Sequence, residues 1–279
     1  MAATFFRFAF VCFVAQTAFA QSTLSQSSSG EFYLPRVASG SHPQAAIALW
    51  ARQQKEQMET KTSDYEATLV SRERIGGKLS DVDTIKIKVR HKPFSVYIHV
   101  LTPDHKDDEA IYVEGRNDGK LLGHTTGFTG RLVGTVALDP HGSTAMNGQR
   151  YAITEIGIAK LCGRILKYAE DDMHYDESQV HVTQGVKTDN RICTLVETIH
   201  PVERTNFHFF RQRIYIDAQW HIPVRYEQYD WPKKPDGADE SAKDGSGELV
   251  EEYNYTQLKL DNGFTDADFD PHNPNYGFP

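Results

Sequence analysis

The chain has 279 residues, of which 39% are hydrophobic and 24% charged, and its net charge is −8 at pH 7. This length and composition are typical of a globular protein with one sizeable core. The acidic balance argues against nucleic acid as a partner, because phosphate groups need a positive surface to bind.

The first twenty residues have the layout of a secretory signal peptide. One basic residue, Arg7, precedes an apolar run, and Ala18-Phe19-Ala20 supplies a small-residue cleavage site before Gln21. The apolar run is short for a membrane span, although an uncleaved anchor is the alternative. We therefore expect cleavage near Ala20 and a soluble protein that is periplasmic or otherwise exported.

A leader and a helix follow the signal peptide. Residues 21–40 are rich in Ser, Gln and Gly, which predicts a disordered leader. Ser41 and Gln44 have the spacing of a capping box, so we expect a helix from there to about Glu59. The remainder, residues 41–279, is predicted to form a single domain.

Apolar residues alternate with polar ones through most of the stretch from Tyr65 to Leu101, which is the pattern of strands with one buried face. Gly76-Gly77 and Lys92-Pro93 mark two chain reversals within it. The stretch therefore predicts a three-stranded antiparallel meander that needs a cover for its apolar face.

The rest of the chain predicts one helix and further strands. Residues 154–170 carry one apolar stripe, formed by Ile158, Leu161, Cys162, Ile165, Leu166 and Ala169. The predicted strands are Ala110–Glu114, Lys120–His124, Val133–Leu138, Gln179–Gln184, Arg191–His200, Asn206–Asp217, Ile222–Trp231 and Glu248–Leu260. The low-complexity, charged segment 232–247 predicts a mobile loop.

This order of elements indicates an α+β fold. No strand–helix–strand alternation occurs, so the sheet should be mainly antiparallel, and a sheet this large usually curls. We expect a large curved antiparallel sheet that forms a half-open β-barrel, with the helices packed on its concave side.

The motifs of common catalytic and metal sites are absent from the sequence. It contains neither Gly-x-Ser-x-Gly nor His-Glu-x-x-His. Asp266-Ala267-Asp268-Phe269-Asp270 resembles the start of a calcium loop, but Pro271 stands where that loop needs glycine. We therefore predict a protein that is not an enzyme, with no catalytic residue, no metal and no cofactor, and a tail held to the domain by Phe269, Tyr276 and Phe278.

Two cysteines remain after the predicted cleavage, Cys162 and Cys193. An oxidising compartment permits a disulfide between them, and two buried free thiols are the alternative.

Several segments together resemble a family of exported bacterial proteins known as domain of unknown function 1571. They are YEATLVSRERIGGKL, VRHKPFSVYIHVL, AIYVEGRNDGKLLGH, RYAITEIGI and FDPHNPNYGF. The element order is also similar to the half-open barrels of periplasmic lipoprotein carriers of the LolA and LolB type, and to related envelope-stress sensors. This resemblance implies a lipid or a lipidated protein as partner.

The predicted function is a non-enzymatic carrier or sensor that binds an acyl group between sheet and helix. Its predicted ligand-binding residues are the apolar side chains Leu69, Ile87, Val89, Val96 and Ile98 of the sheet and Leu161 and Ile165 of the helix. One alternative is a binding module for an envelope protein, acting through a strand edge or the acidic loop. A second alternative is a hydrolase whose site is dispersed along the chain.

Overall fold

The computed structural model describes residues 31–126, 134–232 and 247–279. The predicted signal peptide and residues 233–246 of the predicted loop lie outside these ranges. The long helices are α1 (Ala45–Lys61) and α2 (Ile158–Asp172). The strands are β1 (Asp64–Ile75), β2 (Lys78–Leu79), β3 (Asp83–His91), β4 (Phe94–Val100), β5 (Glu109–Val113), β6 (Leu121–His124), β7 (Val136–Leu138), β8 (Gln179–Thr188), β9 (Arg191–Ile199), β10 (Arg211–Asp217), β11 (Pro223–Asp230) and β12 (Glu248–Leu260).

All twelve strands belong to one antiparallel sheet, in the order β7-β6-β5-β4-β3-β1-β12-β11-β10-β9-β8, with β2 paired to β1. Within the described ranges the two end strands, β7 and β8, do not pair with each other, so the sheet stays open. The predicted half-open barrel is therefore confirmed. The predicted meander corresponds to β1, β3 and β4, in that order across the sheet.

The path of the chain explains why α2 lies where it does. The chain leaves the sheet at one end, β7, and re-enters it at the other end, β8. The connection between them must cross the whole sheet, and α2 is the long element within it. Its apolar stripe is buried against the concave face, where it packs beside α1. This position follows from the topology together with the amphipathic pattern of the helix.

The predicted capping box at the start of α1 is wrong. The helix begins at Ala45, and Gln44 occupies the N-cap position without a side-chain cap. Gln44 is 1% exposed, and its amide nitrogen donates to Asp172 Oδ2 at 3.0 Å and to Thr198 Oγ1 at 3.3 Å. Its side chain joins α1 to α2 and β9, so tertiary contacts have replaced the local cap.

Part of the predicted leader is ordered against the domain. Phe32 is 7% exposed, its ring lies 4.9 Å from that of His221, and its carbonyl oxygen accepts a hydrogen bond from Thr194 at 2.7 Å. The prediction of disorder therefore fails for residues 31–34, because Phe32 and Leu34 both pack against the core and supply apolar burial.

The C-terminal tail is held to the domain by its aromatic residues, as predicted, and it packs on the face of the sheet opposite the helices. Phe269 is 2% exposed, and the ring of Tyr276 stacks on that of Tyr97 at 4.0 Å. The Lys88 ammonium group donates to Asp268 at 3.0 Å and to the Tyr276 hydroxyl at 3.1 Å. The tail therefore forms a second, smaller core with β3, β4 and β5.

Some predicted boundaries differ from the observed ones. The strand predicted at Asn206–Asp217 begins only at Arg211, because Phe207 and Phe209 leave the sheet and pack on the ring of His200. Strand β8 extends to Thr188 past an irregularity in its pairing with β9. Among the described residues, no helix has both the length and the apolar character needed to cross a membrane.

Candidate functional site

The structure brings the seven predicted ligand-binding residues together. Leu69, Ile87, Val89, Val96, Leu161 and Ile165 belong to one hydrophobic cluster between the sheet and α2, and Ile98 packs against it. Val96, Leu161 and Ile165 have no exposed surface. A side chain that lines an empty space wide enough for water has accessible surface, so these three are covered by protein atoms. The space that was predicted to receive a ligand is filled there by the side chains themselves.

The first turn of α2 is attached to the sheet through Tyr65. The backbone N–H of Ile158 donates to the Tyr65 hydroxyl at 2.8 Å, and Tyr65 has no exposed surface. Burial raises the pKa of Tyr65 well above its ordinary value, so the hydroxyl stays neutral. Gly157 precedes the helix at φ +121°, and a Cβ there would lie 2.7 Å from the Tyr65 oxygen. Only glycine allows this approach.

The last turn of α2 is attached to the sheet through a buried histidine. Nε2 of His200 lies 3.1 Å from Asp172 Oδ2, and Nδ1 lies 2.8 Å from the carbonyl oxygen of Phe209. The Nε2 contact has ion-pair distance but not hydrogen-bond geometry. Burial raises the pKa of Asp172 above its ordinary value. Both side chains have no exposed surface, so this Asp–His pair offers no access to a substrate and does not support the hydrolase alternative.

A polar group borders the apolar cluster on one side. It consists of Arg150, Tyr151, Arg164, Glu251 and Tyr253, which we call the Arg–Tyr cluster. Oε2 of Glu251 accepts from the Tyr151 hydroxyl at 2.8 Å and lies 2.9 Å from Arg150 Nε. The Arg164 guanidinium lies over the Tyr151 ring, 3.7 Å from its centroid. The cluster therefore joins α2 and the segment before it to β12.

Glu251 is the most buried charge of the Arg–Tyr cluster, with no exposed side-chain surface. Burial raises its pKa above the ordinary value, while Arg164 and Arg150 oppose that shift by favouring the charged form. Sequence reasoning missed this cluster. Its members come from three separate segments, and no local motif marks them.

A polar recess opens where α1 ends and β3 turns into β4. It has a volume of about 370 Å³ and is lined by residues 59–64, Arg90, His91, Lys92 and Phe264. Its most buried charges are already paired. Asp64 accepts from the backbone N–H groups of residues 262–264, and Arg90 donates to Asp266 and to Ser95. This polar recess does not suit an acyl chain.

Both cysteines are free and buried, with Cys162 on α2 and Cys193 on β9. Of the two predicted states, the structure therefore has the two free thiols. Burial raises the pKa of each thiol, which makes both unreactive. Within the ranges that the structure describes, no group of three or more His, Cys, Asp or Glu side chains could hold a metal ion.

Solved structures with a similar fold include three that cover most of this chain. A domain from Vibrio parahaemolyticus assigned to outer membrane lipoprotein sorting is 12% identical, with a TM-score of 0.38, and the match covers 80% of this chain and 95% of that one. A LolA superfamily protein from Nitrosomonas europaea is 10% identical, with a TM-score of 0.32 and coverage of 80% and 97%. A chain of the Pseudomonas aeruginosa MucA/MucB complex is 13% identical, with a TM-score of 0.43 and coverage of 81% and 61%. At these values the likeness concerns the fold and not the ligand.

No curated protein matches the chain. A protein family does match, over residues 62–278, which run from just before β1 to the end of the tail. That range includes the sheet, α2 and the Arg–Tyr cluster. The chain belongs to the family described as Protein of unknown function (DUF1571).

Proposed function

We propose that this chain is an exported, non-enzymatic binding protein that carries or senses an acyl group, and that α2 occupies the acyl site when no ligand is present. The observation that carries the proposal is the pairing of a continuous apolar surface on the sheet with one amphipathic helix that crosses it. An acyl chain has the same chemistry as the helix stripe, so it can replace the stripe on that surface.

The closed state, with α2 on the sheet, and the ligand-bound state, with an acyl chain in its place, would bury apolar groups with comparable free energies. Three large side chains of the stripe, Ile158, Leu161 and Ile165, have no exposed surface. Burial of such side chains contributes about 1.5–3 kcal/mol each, or roughly 5–9 kcal/mol together. An acyl chain that buries about ten methylene groups gains roughly 8 kcal/mol at about 0.8 kcal/mol each. Exchange between helix and ligand is then nearly balanced, as a carrier that must release its cargo requires.

The attachment of α2 fits such an exchange. The N-terminal end of the helix follows a glycine at positive φ, and one hydrogen bond joins its first turn to Tyr65. Loss of that bond would leave a buried N–H unsatisfied at a cost of about 1–3 kcal/mol. The Tyr65→Phe variant should therefore hold α2 less firmly and bind an acyl ligand more tightly.

The test is binding of a fluorescent fatty-acyl probe to delipidated protein, together with native mass spectrometry of the protein as purified. We expect probe binding that Ile87→Asp abolishes, because Ile87 is 1% exposed and belongs to the apolar cluster between the sheet and the helices. The control is Ile192→Asp on β9, where the same side chain is 47% exposed. Circular dichroism checks that each variant is folded.

The Tyr65→Phe variant keeps the test decisive if Ile87→Asp does not fold. We expect it to bind the probe about fivefold more tightly or better, since weakening the closed state raises the apparent affinity. The proposal fails if the wild-type protein binds no acyl probe and carries no lipid after purification. It also fails if Tyr65→Phe loses stability without any gain in affinity.

A second candidate function is recognition of an envelope protein through β8. This strand lies at one end of the sheet and exposes 45% of Val182. An exposed strand edge can accept a further strand from a partner. A partner pulled down from the exported fraction that is retained by Ile87→Asp but lost with Val182→Lys would favour this function. A partner lost with Ile87→Asp alone would count against it.

A further inference from the structure

The buried histidine at the last turn of α2 has both of its ring nitrogens directed at oxygen atoms. Nδ1 of His200 lies 2.8 Å from the carbonyl oxygen of Phe209, and Nε2 lies 3.1 Å from Oδ2 of Asp172. A carbonyl oxygen and a carboxylate oxygen can only accept, so both contacts are attractive only if each nitrogen carries a proton. A neutral imidazole has one such proton. In either tautomer, one nitrogen lone pair would therefore face an oxygen lone pair inside the protein.

One additional proton removes this conflict. On the ring, it gives an imidazolium beside a carboxylate; on Asp172, it gives a carboxylic acid that can donate to Nε2. Neither side chain has exposed surface, so bulk water does not weaken the interaction. The ring of His200 stacks on that of Phe207 at 3.8 Å, which holds its orientation. The observed contacts therefore require one proton that Asp172 and His200 share.

The charged side chains beside the pair on α2 and on the β9–β10 connection offset one another. Asp171 and His208 face each other with 2.7 Å between Oδ2 and Nε2, and Lys167 also pairs with Asp171. Burial raises the pKa of Asp172, His200 and His208 lower it, and Asp171 raises it. Because the effects of Asp171 and His208 are opposite in sign, burial remains the main influence, and it favours a carboxyl group that keeps its proton.

The groups on the α1 side do not supply the missing proton. Gln44 donates its amide N–H to Asp172 Oδ2 at 3.0 Å, which leaves the contact between Asp172 and His200 unchanged. Nε2 of His42, which precedes α1, lies 2.9 Å from the carbonyl oxygen of Tyr175. The shared proton must therefore reside on the Asp172–His200 pair itself.

We propose that this pair makes the position of α2 depend on pH: the shared proton holds the last turn on the sheet, and its loss as the pH rises frees that turn and admits an acyl ligand. This inference rests on the proposed function, because it states what regulates the exchange between α2 and the ligand. The first turn of α2 is held by the Tyr65 hydroxyl, whose raised pKa keeps it neutral. The response to pH is therefore confined to the last turn.

The direction of the response follows from the number of protons bound in each state. When α2 is displaced, Asp172 loses its histidine partner, and a histidine without such a partner is neutral above about pH 6.5. Above that pH the displaced state holds one proton fewer than the seated state. The stabilisation of the seated state is thus complete below about pH 6.5 and is lost as the pH rises through the value at which the pair releases its proton.

The first test measures binding of a fluorescent monoacylglycerol to delipidated protein between about pH 6.5 and about pH 8.5, the range in which a shared proton would be released. The head group of this probe is neutral, so the probe itself does not titrate. We expect the dissociation constant to fall about tenfold or more across the range, since one linked proton gives up to tenfold per pH unit. Asp172→Asn should remove this dependence, because its amide N–H can donate to Nε2 of a neutral imidazole.

The matched control is Asp171→Asn, one residue earlier on the same helix. Its carboxylate pairs with His208 near the surface, where the two side chains are 30% and 35% exposed. This variant should keep the pH dependence. Loss of the dependence with Asp171→Asn but not with Asp172→Asn would assign it to the surface pair and overturn the inference.

A second test detects the shared proton without any ligand. Nitrogen-15 NMR of the His200 ring and carbon-13 NMR of the Asp172 carboxyl group should show, at neutral pH, either a doubly protonated ring or a protonated carboxyl group. A singly protonated ring beside an ionised carboxylate would overturn the inference, even in a protein that binds acyl groups. Binding of the probe with the same affinity at every pH would also overturn this inference alone, whereas absence of binding at every pH would overturn the proposed function with it.

Discussion

Replacement of Leu161 by alanine tests whether the space beneath α2 is filled, as the structure has it, or hollow. Leu161 has no exposed surface, and its side chain points from α2 into the cluster that also contains Ile165 and Val96. The substitution removes three buried carbon atoms, which corresponds to about 2.4 kcal/mol at about 0.8 kcal/mol for each. The cavity left behind adds to this, since neighbours in a close-packed core relax only in part, so we expect a total loss of about 3–5 kcal/mol.

The assay is equilibrium urea unfolding of the delipidated protein. Alanine has the highest helix propensity, so a loss of stability cannot come from the helix itself. The matched control is Ile192→Ala, at a position 47% exposed, which should change the free energy of unfolding by about 0.5 kcal/mol or less. A loss below about 1 kcal/mol for Leu161→Ala would refute the close packing and indicate a hollow that the side chain merely borders.

Two further predictions concern the attachment of α2 and the buried carboxylate. Gly157→Ala should destabilise the protein by more than about 1 kcal/mol, because the residue has φ +121° and the new Cβ would meet Tyr65 Oη at 2.7 Å. Gly163→Ala within α2 is the control, since its Cβ would make only ordinary contacts at 3.7 Å with Lys55, and it should stabilise by about 0.5–1 kcal/mol. Thermal unfolding that ranks the two variants in the opposite order would contradict the close approach of Gly157 to Tyr65. Glu251 has a raised pKa in the folded protein, so the native state binds its proton more tightly than the unfolded state does. The stability of the wild type relative to Glu251→Gln should therefore be greatest below pH 4.5 and fall as the pH rises through the folded pKa. Urea unfolding of both proteins across that range checks this. A difference in unfolding free energy between them that stays flat or rises with pH would contradict the burial of this carboxylate.

The local pattern of the chain was enough to predict most of the sheet. The alternation from Tyr65 to Leu101 places Tyr65, Leu69, Ile87 and Val89 on one face, and these residues do lie together on the concave side. The stripe of α2 was equally clear, because a 3.6-residue period over four turns has no other simple explanation. The spacing of apolar residues is a local property of the sequence. It matches the folded structure because each strand or helix buries only one of its faces.

Contacts between distant segments could not be predicted in the same way. The Gln44 side chain caps no helix, since Asp172 and Thr198 bind its amide from more than a hundred residues away along the chain. Phe32 is held to the domain although residues 21–30 before it are rich in Ser, Gln and Gly. For the start of α1, a tertiary partner outweighed a local capping preference of about 1 kcal/mol.

By itself, the sequence determined which faces of the strands and of α2 are apolar, because that depends only on the spacing of side chains along the chain. Only the tertiary structure decided that Val96, Leu161 and Ile165 are covered by neighbouring side chains, and that Arg150, Arg164 and Glu251 meet beside them. The physical reason is that packing density and the pairing of buried charges depend on how the chain crosses from β7 to β8, and no local pattern carries that information.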